Sequence, residues 1–366
     1  MNHPYYVYSN ESSEPEQSLP PSAEPGEARR HFSKLGLAYL AMTASFLAVA
    51  YAVQYAVLFL RPEWLGQWWM SWAVSLLPLY CVGLPVLWLC LRKLPASPHN
   101  TAYTTRATLF RPAETVEKPR FSFGSWMLLL LIAFGCMTVG SMIGNYIMLF
   151  LSALTGYDYA FALNSMVNET PVWFTFVCTC ICAPFGEELL FRKLLIDRTR
   201  RFGDLPAILL SGVLFGLFHG NLFQLFYATL VGMLLAYVYT RSGSYLWCVA
   251  MHAAINFMGS IVTPAIAKLA EPLLSEAIWQ APLDEWIQSS ALLIALAAYL
   301  FLLLWQNATR VGGIVLFAVF FRKRKLSRGE TPLAGSEIAS TAFLNPGMIA
   351  CMVIMLLLVA VNLIPA

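Results

Sequence analysis

Polar and apolar positions along this chain separate into long blocks. Apolar runs occupy 35–60, 71–91, 125–153, 171–191, 206–219, 222–240, 245–264, 289–306 and 346–365, and a shorter one, VGGIVLFAVFF, lies at 311–321. Most approach the ~20 residues that cross a ~30 Å hydrocarbon layer as a helix, so the pattern predicts an all-α polytopic membrane protein, a bundle of about 8–9 transmembrane helices. No internal repeat stands out, which gives no support for transporter-like inverted halves. Residues 1–34 differ: MNHPYYVYSNESSEPEQSLPPSAEPGEARRHF is rich in Pro, Ser and Glu and has no apolar core of a signal peptide. A disordered cytoplasmic tail is expected there, with 35–366 forming the transmembrane domain.

Composition sharpens the class. The chain is 58% hydrophobic and 12% charged, with a mean hydropathy of +0.64, outside the range of ordinary soluble domains. A net charge of +3 is too small to point to nucleic acid, which is excluded as a partner; membrane lipids are implied instead. If the N-terminal tail is cytoplasmic, all 23 basic residues except Arg61 and Lys268 fall on cytoplasmic segments, Arg241 and Arg310 counted among them. That asymmetry predicts a cytoplasmic N-terminus. The eight cysteines lie in apolar runs and read as small hydrophobes; Cys178 and Cys182 share a helix face without further ligands beside them, so packing is the expected role.

Against this background the stretch CAPFGEELLFRKLL, 182–195, is unusual. Ionised side chains in hydrocarbon are costly and persist where pairing or function keeps them. Glu187 and Glu188 are the carboxylates at a membrane-helix position, and His219 and His252 the histidines there, all within 187–252. Glu188 precedes Arg192 by one turn, the favourable acidic-first arrangement for a pair along a helix. Glu187 is rotated by about 100° and is free to face another helix. Pro184 is expected to kink the helix. FGLFH places Phe215 and His219 on one face, and HAAIN does the same for His252 and Asn256. Glu187 and His219 lie at matching heights, roughly 20 Å from the turn between their helices. A buried polar site in the cytoplasmic half of the bilayer is expected.

A carboxylate, two imidazoles and an amide converging away from water suit hydrolysis. Glu187 would be general base on a water, His219 would hold that water or shuttle a proton, and His252 and Asn256 would donate to an oxyanion. Glu188 with Arg192 would hold the helix and its field, and Phe215 would pack. No cofactor is required; Zn²⁺ on Glu187, His219 and His252 is a variant.

EELLFR at 187–192, SGVLFGLFHGN at 211–221 and HAAIN at 252–256 resemble, in order and spacing, the Glu-Glu-x-x-x-Arg, Phe-x-x-x-His and His-x-x-x-Asn motifs of the CPBP family, the type II CAAX-processing and bacteriocin-processing intramembrane endopeptidases. The likeness covers a core at about 170–262. It implies a peptidase acting on a membrane-associated peptide or protein, with Glu187, Glu188, Arg192, His219, His252 and Asn256 lining the site. Eukaryotic relatives trim prenylated proteins and bacterial ones process, or confer immunity to, secreted peptides, so a bacterial plasma membrane is the implied location. Lys193 stands where many members carry Gly. Two other readings remain open: a non-catalytic immunity or scaffold protein, and an ion-coupled transporter using Glu187 as a relay.

Overall fold

The computed structural model describes residues 23–97, 102–104, 115–117, 121–157, 170–280, 282–322 and 326–364. Its helices, in chain order, are α1 (Pro25–Leu60), α2 (Trp68–Leu91), α3 (Phe123–Thr155), α4 (Val172–Phe202), α5 (Asp204–Phe218), α6 (Leu222–Ser242), α7 (Tyr245–Leu274), α8 (Ser290–Arg322) and α9 (Pro346–Val361). Two short helices, Glu276–Gln280 and Leu283–Gln288, lie between α7 and α8, and a helical turn at Gly335–Phe343 meets α9 at 68°. Between α2 and α3 the strands β1 (Ala102–Thr104) and β2 (Thr115–Glu117) pair antiparallel, Tyr103 opposite Val116.

Among the described residues seven helices are long and apolar enough to cross a membrane, eight if the bent pair ending in α9 counts as one span. The chain is an all-α integral membrane protein. The apolar run at 206–219 becomes α5, whose 15 residues reach only ~22 Å, short of the hydrocarbon thickness. Two apolar runs, 289–306 and 311–321, are one helix, α8. Arg310 therefore sits inside a helix and not in the cytoplasmic segment to which its charge was assigned.

The expected tail boundary at 34 moves back to Pro25, which opens α1 at a position where its missing N–H costs nothing. Ala28, His31, Phe32 and Leu35 fall one turn apart and are buried, so this polar-looking segment has a helix face that belongs to the core. Residues 1–22, the rest of that tail, lie outside the described residues, as does most of the loop 92–124.

The site is carried by α4, α5, α6 and α7. Helix α5 runs against α6, α4 against α7, and α1 with α2 and α9 closes one side while α3 and α8 close the other. Helices α3 and α8 cross where Gly135 meets Gly313: a Cβ on Gly135 would lie 2.5 Å from Gly313 Cα, so only the bare backbone permits this approach.

Three spans share one irregularity. In α2, α4 and α7 a π-helical turn (Leu79–Gly83, Phe176–Cys182, Met258–Val262) is followed at its second position by a proline, Pro85, Pro184 or Pro264. The residue just before each proline sends its N–H five residues back, to Leu79, Cys178 and Met258 respectively. Widening the turn absorbs the proline ring, but it leaves the next carbonyl without a donor, because proline has no N–H to give. In hydrocarbon another group must supply one.

Candidate active site

Helix α4 brings its polar residues into the bundle on the turn after Pro184. The carbonyl orphaned by that proline is Thr179 O, and the Asn256 side chain on α7 donates to it at 2.7 Å. Four further side chains donate to α4 carbonyls: Tyr80 of α2 to Cys182 O (3.1 Å), Tyr245 of α7 to Phe185 O, Tyr39 of α1 to Leu190 O (2.5 Å) and Ser211 of α5 to Phe191 O (2.9 Å). A second π-helical turn at Leu189–Leu194 frees the last of these groups. Helices α1, α2, α5 and α7 thus each help to hold α4, and Gly186, beside Glu187, is the position where a Cβ would collide with the Tyr80 ring.

The two glutamates part company as their spacing predicts. Glu188 is fully buried, 2.9 Å from Arg192 Nε through one oxygen and 2.8 Å from His252 Nδ1 through the other. A carboxylate only accepts, so Nδ1 carries the proton, and Nε2 is turned to the opposite side of the ring. There it faces Glu187 Oε2 at 3.9 Å, beyond hydrogen-bond range. That Glu187 oxygen is buried and has no hydrogen-bond partner, although 15% of the side chain is open. His252 thus stands between a paired carboxylate that orients it and an unpaired one that it faces.

Phe215 is the packing hub. The Arg192 guanidinium lies over its face at 4.5 Å, and His219, His252 and Phe191 meet it edge-on at 4.9, 5.7 and 5.4 Å between centroids. A cation over an aromatic face is attracted by the ring quadrupole, and the fit fixes a charge that has no water around it. His219, half-buried at the end of α5, donates Nδ1–H to Phe215 O at 2.8 Å, which leaves its Nε2 as the free ring nitrogen.

The structure therefore brings Glu187, Glu188, Arg192 and His252 into direct contact or near contact, sets His219 across Phe215 from His252, and engages Asn256 with the backbone of α4. Asn256 is not an unengaged oxyanion donor, since one amide proton is committed to Thr179 O. Among the described residues no three His, Cys, Asp or Glu side chains are arranged to hold a metal ion. The expected zinc set of Glu187, His219 and His252 is not grouped as metal ligands here, although the Glu188 bond leaves His252 Nε2 free, and no step below is routed through a metal. Lys193 turns away from the packed face and pairs with Asp197 at 2.6 Å, which accommodates a long side chain where a small one was expected.

Sequence reasoning missed Tyr39, Tyr80, Thr179, Ser211 and Tyr245. The one signal available for them was Pro184: a proline in a membrane helix implies an orphan carbonyl and hence a polar side chain in a neighbouring apolar run.

Fold and site define an integral membrane protein with a buried polar site among its central helices. Residues 169–258, well under half of the chain, match the family model described as type II CAAX prenyl endopeptidase Rce1-like, so this segment is similar to that family, which supports a CAAX-type membrane protease in general. The matched segment contains Glu187, Glu188, Arg192, His219, His252 and Asn256 and leaves α1–α3 and most of the chain after α7 begins unmatched. No curated protein and no solved structure shows significant similarity to the chain.

Proposed function

We propose that the protein is an intramembrane endopeptidase that hydrolyses a peptide bond of a membrane-associated peptide or protein with a water activated by Glu187. The observation that carries this is the unpartnered, buried Glu187 oxygen 3.9 Å from His252 Nε2, with His252 held by the Glu188–Arg192 pair. A water hydrogen-bonded to both atoms would lie roughly 2.8 Å from each and would give the unpartnered oxygen its donor.

Glu187 takes a proton from that water as its oxygen attacks the carbonyl carbon, and the carbonyl π pair becomes the oxyanion of a tetrahedral intermediate. The second amide proton of Asn256 is a donor for this charge, and His252 becomes one only once its Nε2 takes up a proton. The proton held between Glu187 and His252 passes to the nitrogen of the scissile bond, the C–N bond breaks, and a carboxylate and an amine leave. Glu188, with Arg192 as its counter-ion, keeps the His252 ring in one tautomer and one orientation. His219 Nε2 offers a further acceptor for the proton.

The basic ends of α4 and α6 support a site toward the cytoplasmic face, and the likeness to bacterial CPBP members supports a plasma membrane. The test is mass spectrometry of membrane peptides and protein C-termini from cells expressing the native chain or Glu187→Gln at equal levels. Fragments with defined ends that vanish in the variant are expected, with cleavage down by at least about a hundredfold, in line with loss of a general base. Identical profiles would end the assignment of Glu187.

A further inference from the structure

A cavity of about 390 Å³ opens between α3, α6, α7 and α8. Polar groups from all four helices line it, among them Ser141, Asn145, Tyr227, Asn256, Gln306 and Arg310. It adjoins the site just described, since Asn256 forms part of its wall while bonded to α4. Its one ionisable group of either sign that is charged at neutral pH is Arg310, for among the described residues no Asp or Glu lines it. Arg310 Nε is buried without a hydrogen-bond partner.

The depth of this charge says what it awaits. Thr309, its neighbour, hydrogen-bonds Thr138 at 3.1 Å, and Thr138 lies mid-way along α3, more than ~20 Å of helix from either end. Lipid phosphates sit at the edges of a ~30 Å hydrocarbon layer, not at this height. An unpaired guanidinium at mid-bundle, in a polar cavity too large for a side chain alone, is a counter-charge without its anion.

We propose that this cavity binds a carboxylate of the peptide substrate, with Arg310 as its counter-charge, so that Arg310 selects peptides carrying a negative group on the α3–α8 side of the cut. The assignment rests on the peptidase reading of the neighbouring site. The carboxylate is either the peptide's C-terminus or an acidic side chain. Arg310 lies outside the segment that matches the protease family, so it would set the specificity of this chain in particular.

Full-length protein carrying Glu187→Gln, to prevent cutting, is placed in phosphatidylcholine nanodiscs and titrated with a dansyl-labelled apolar hexapeptide. Three forms are compared: the free C-terminal acid, the neutral C-terminal amide, and the amide with one Glu. At least one acidic form should bind roughly tenfold tighter than the neutral amide, the strength of a charge-assisted hydrogen bond, and which of the two does so identifies the carboxylate. Arg310→Gln should bring the ratio to about one, with Arg310→Lys retaining part of it. Equal binding of all three forms to protein with Arg310 intact overturns the proposal, and needs no Arg310 variant to fold. So does a ratio that survives Arg310→Gln. Native-level cleavage by Glu187→Gln alongside an intact acid preference would remove the peptidase mechanism and leave the pocket standing.

Discussion

At the scale of single residues the decisive feature is that two adjacent glutamates occupy different electrostatic worlds. Glu188 is closed in with Arg192 and His252, and Glu187 faces the same histidine with an oxygen that nothing engages. A buried pair broken by removal of one partner leaves an uncompensated charge, at a cost of about 3–5 kcal/mol. Arg192→Met is therefore expected to lower the unfolding midpoint in detergent by far more than Glu187→Gln, whose loss should fall on cleavage and leave the melting curve within about 1 kcal/mol of native. Equal destabilisation by both would mean that Glu187 is also a structural partner. The division between the two glutamates was legible from the one-turn spacing of Glu188 and Arg192. The bridging position of His252 was not, because it depends on how α7 is rotated against α4, and a sequence carries no such register. Phe215 was read as packing, and it packs, but around the charge and both imidazoles.

At the scale of helices the recurring device is a π-helical turn before a proline. It re-aims the polar turn of α4 and transfers the bonding of a backbone carbonyl to a side chain on another helix. Asn256→Ala should leave Thr179 O unsatisfied and cost about 1–3 kcal/mol, the penalty for a buried polar group without a partner. In a Pro184→Ala background the helix regains an N–H that can serve this carbonyl, so the same Asn256→Ala change should cost distinctly less. A double-mutant cycle on unfolding free energy measures the difference, and strict additivity would contradict the exchange of donors. Pro184 announced a kink in the sequence, yet the tyrosines, serine and asparagine that repair α4 sit in separate apolar runs whose contacts are tertiary. The same limit explains Arg310. Its charge, followed by two glycines, reads as a break between apolar runs, whereas the Gly135–Gly313 crossing keeps α8 continuous through it.

At the scale of the molecule the spans were visible from hydropathy, since block length is set by the bilayer and not by partners. What hydropathy overstates is the length of α5, a helix of 15 residues, and what it overlooks is the first turns of α1, where buried and charged positions alternate at helical spacing. The expected orientation has its own check. With native cysteines replaced, a cysteine at Glu63 should react with a membrane-impermeant maleimide added to intact cells, and one at Arg241 should react only after the cells are opened. The reverse pattern would invert the bundle and put the polar site on the other face. Within that frame the Rce1-like segment holds the polar cluster of Glu187, Glu188, Arg192 and His252, and α3 and α8, outside it, wall the neighbouring cavity.

The most direct measurement of all follows the water. Once a cut site is identified, a single turnover in H₂¹⁸O, read by mass spectrometry of both product and protein, distinguishes a glutamate base from a glutamate nucleophile. Activation of water by Glu187 predicts one ¹⁸O in the new C-terminal carboxylate and none in Glu187. Label in Glu187, with an unlabelled first product, would show that the glutamate itself attacks and would contradict the mechanism.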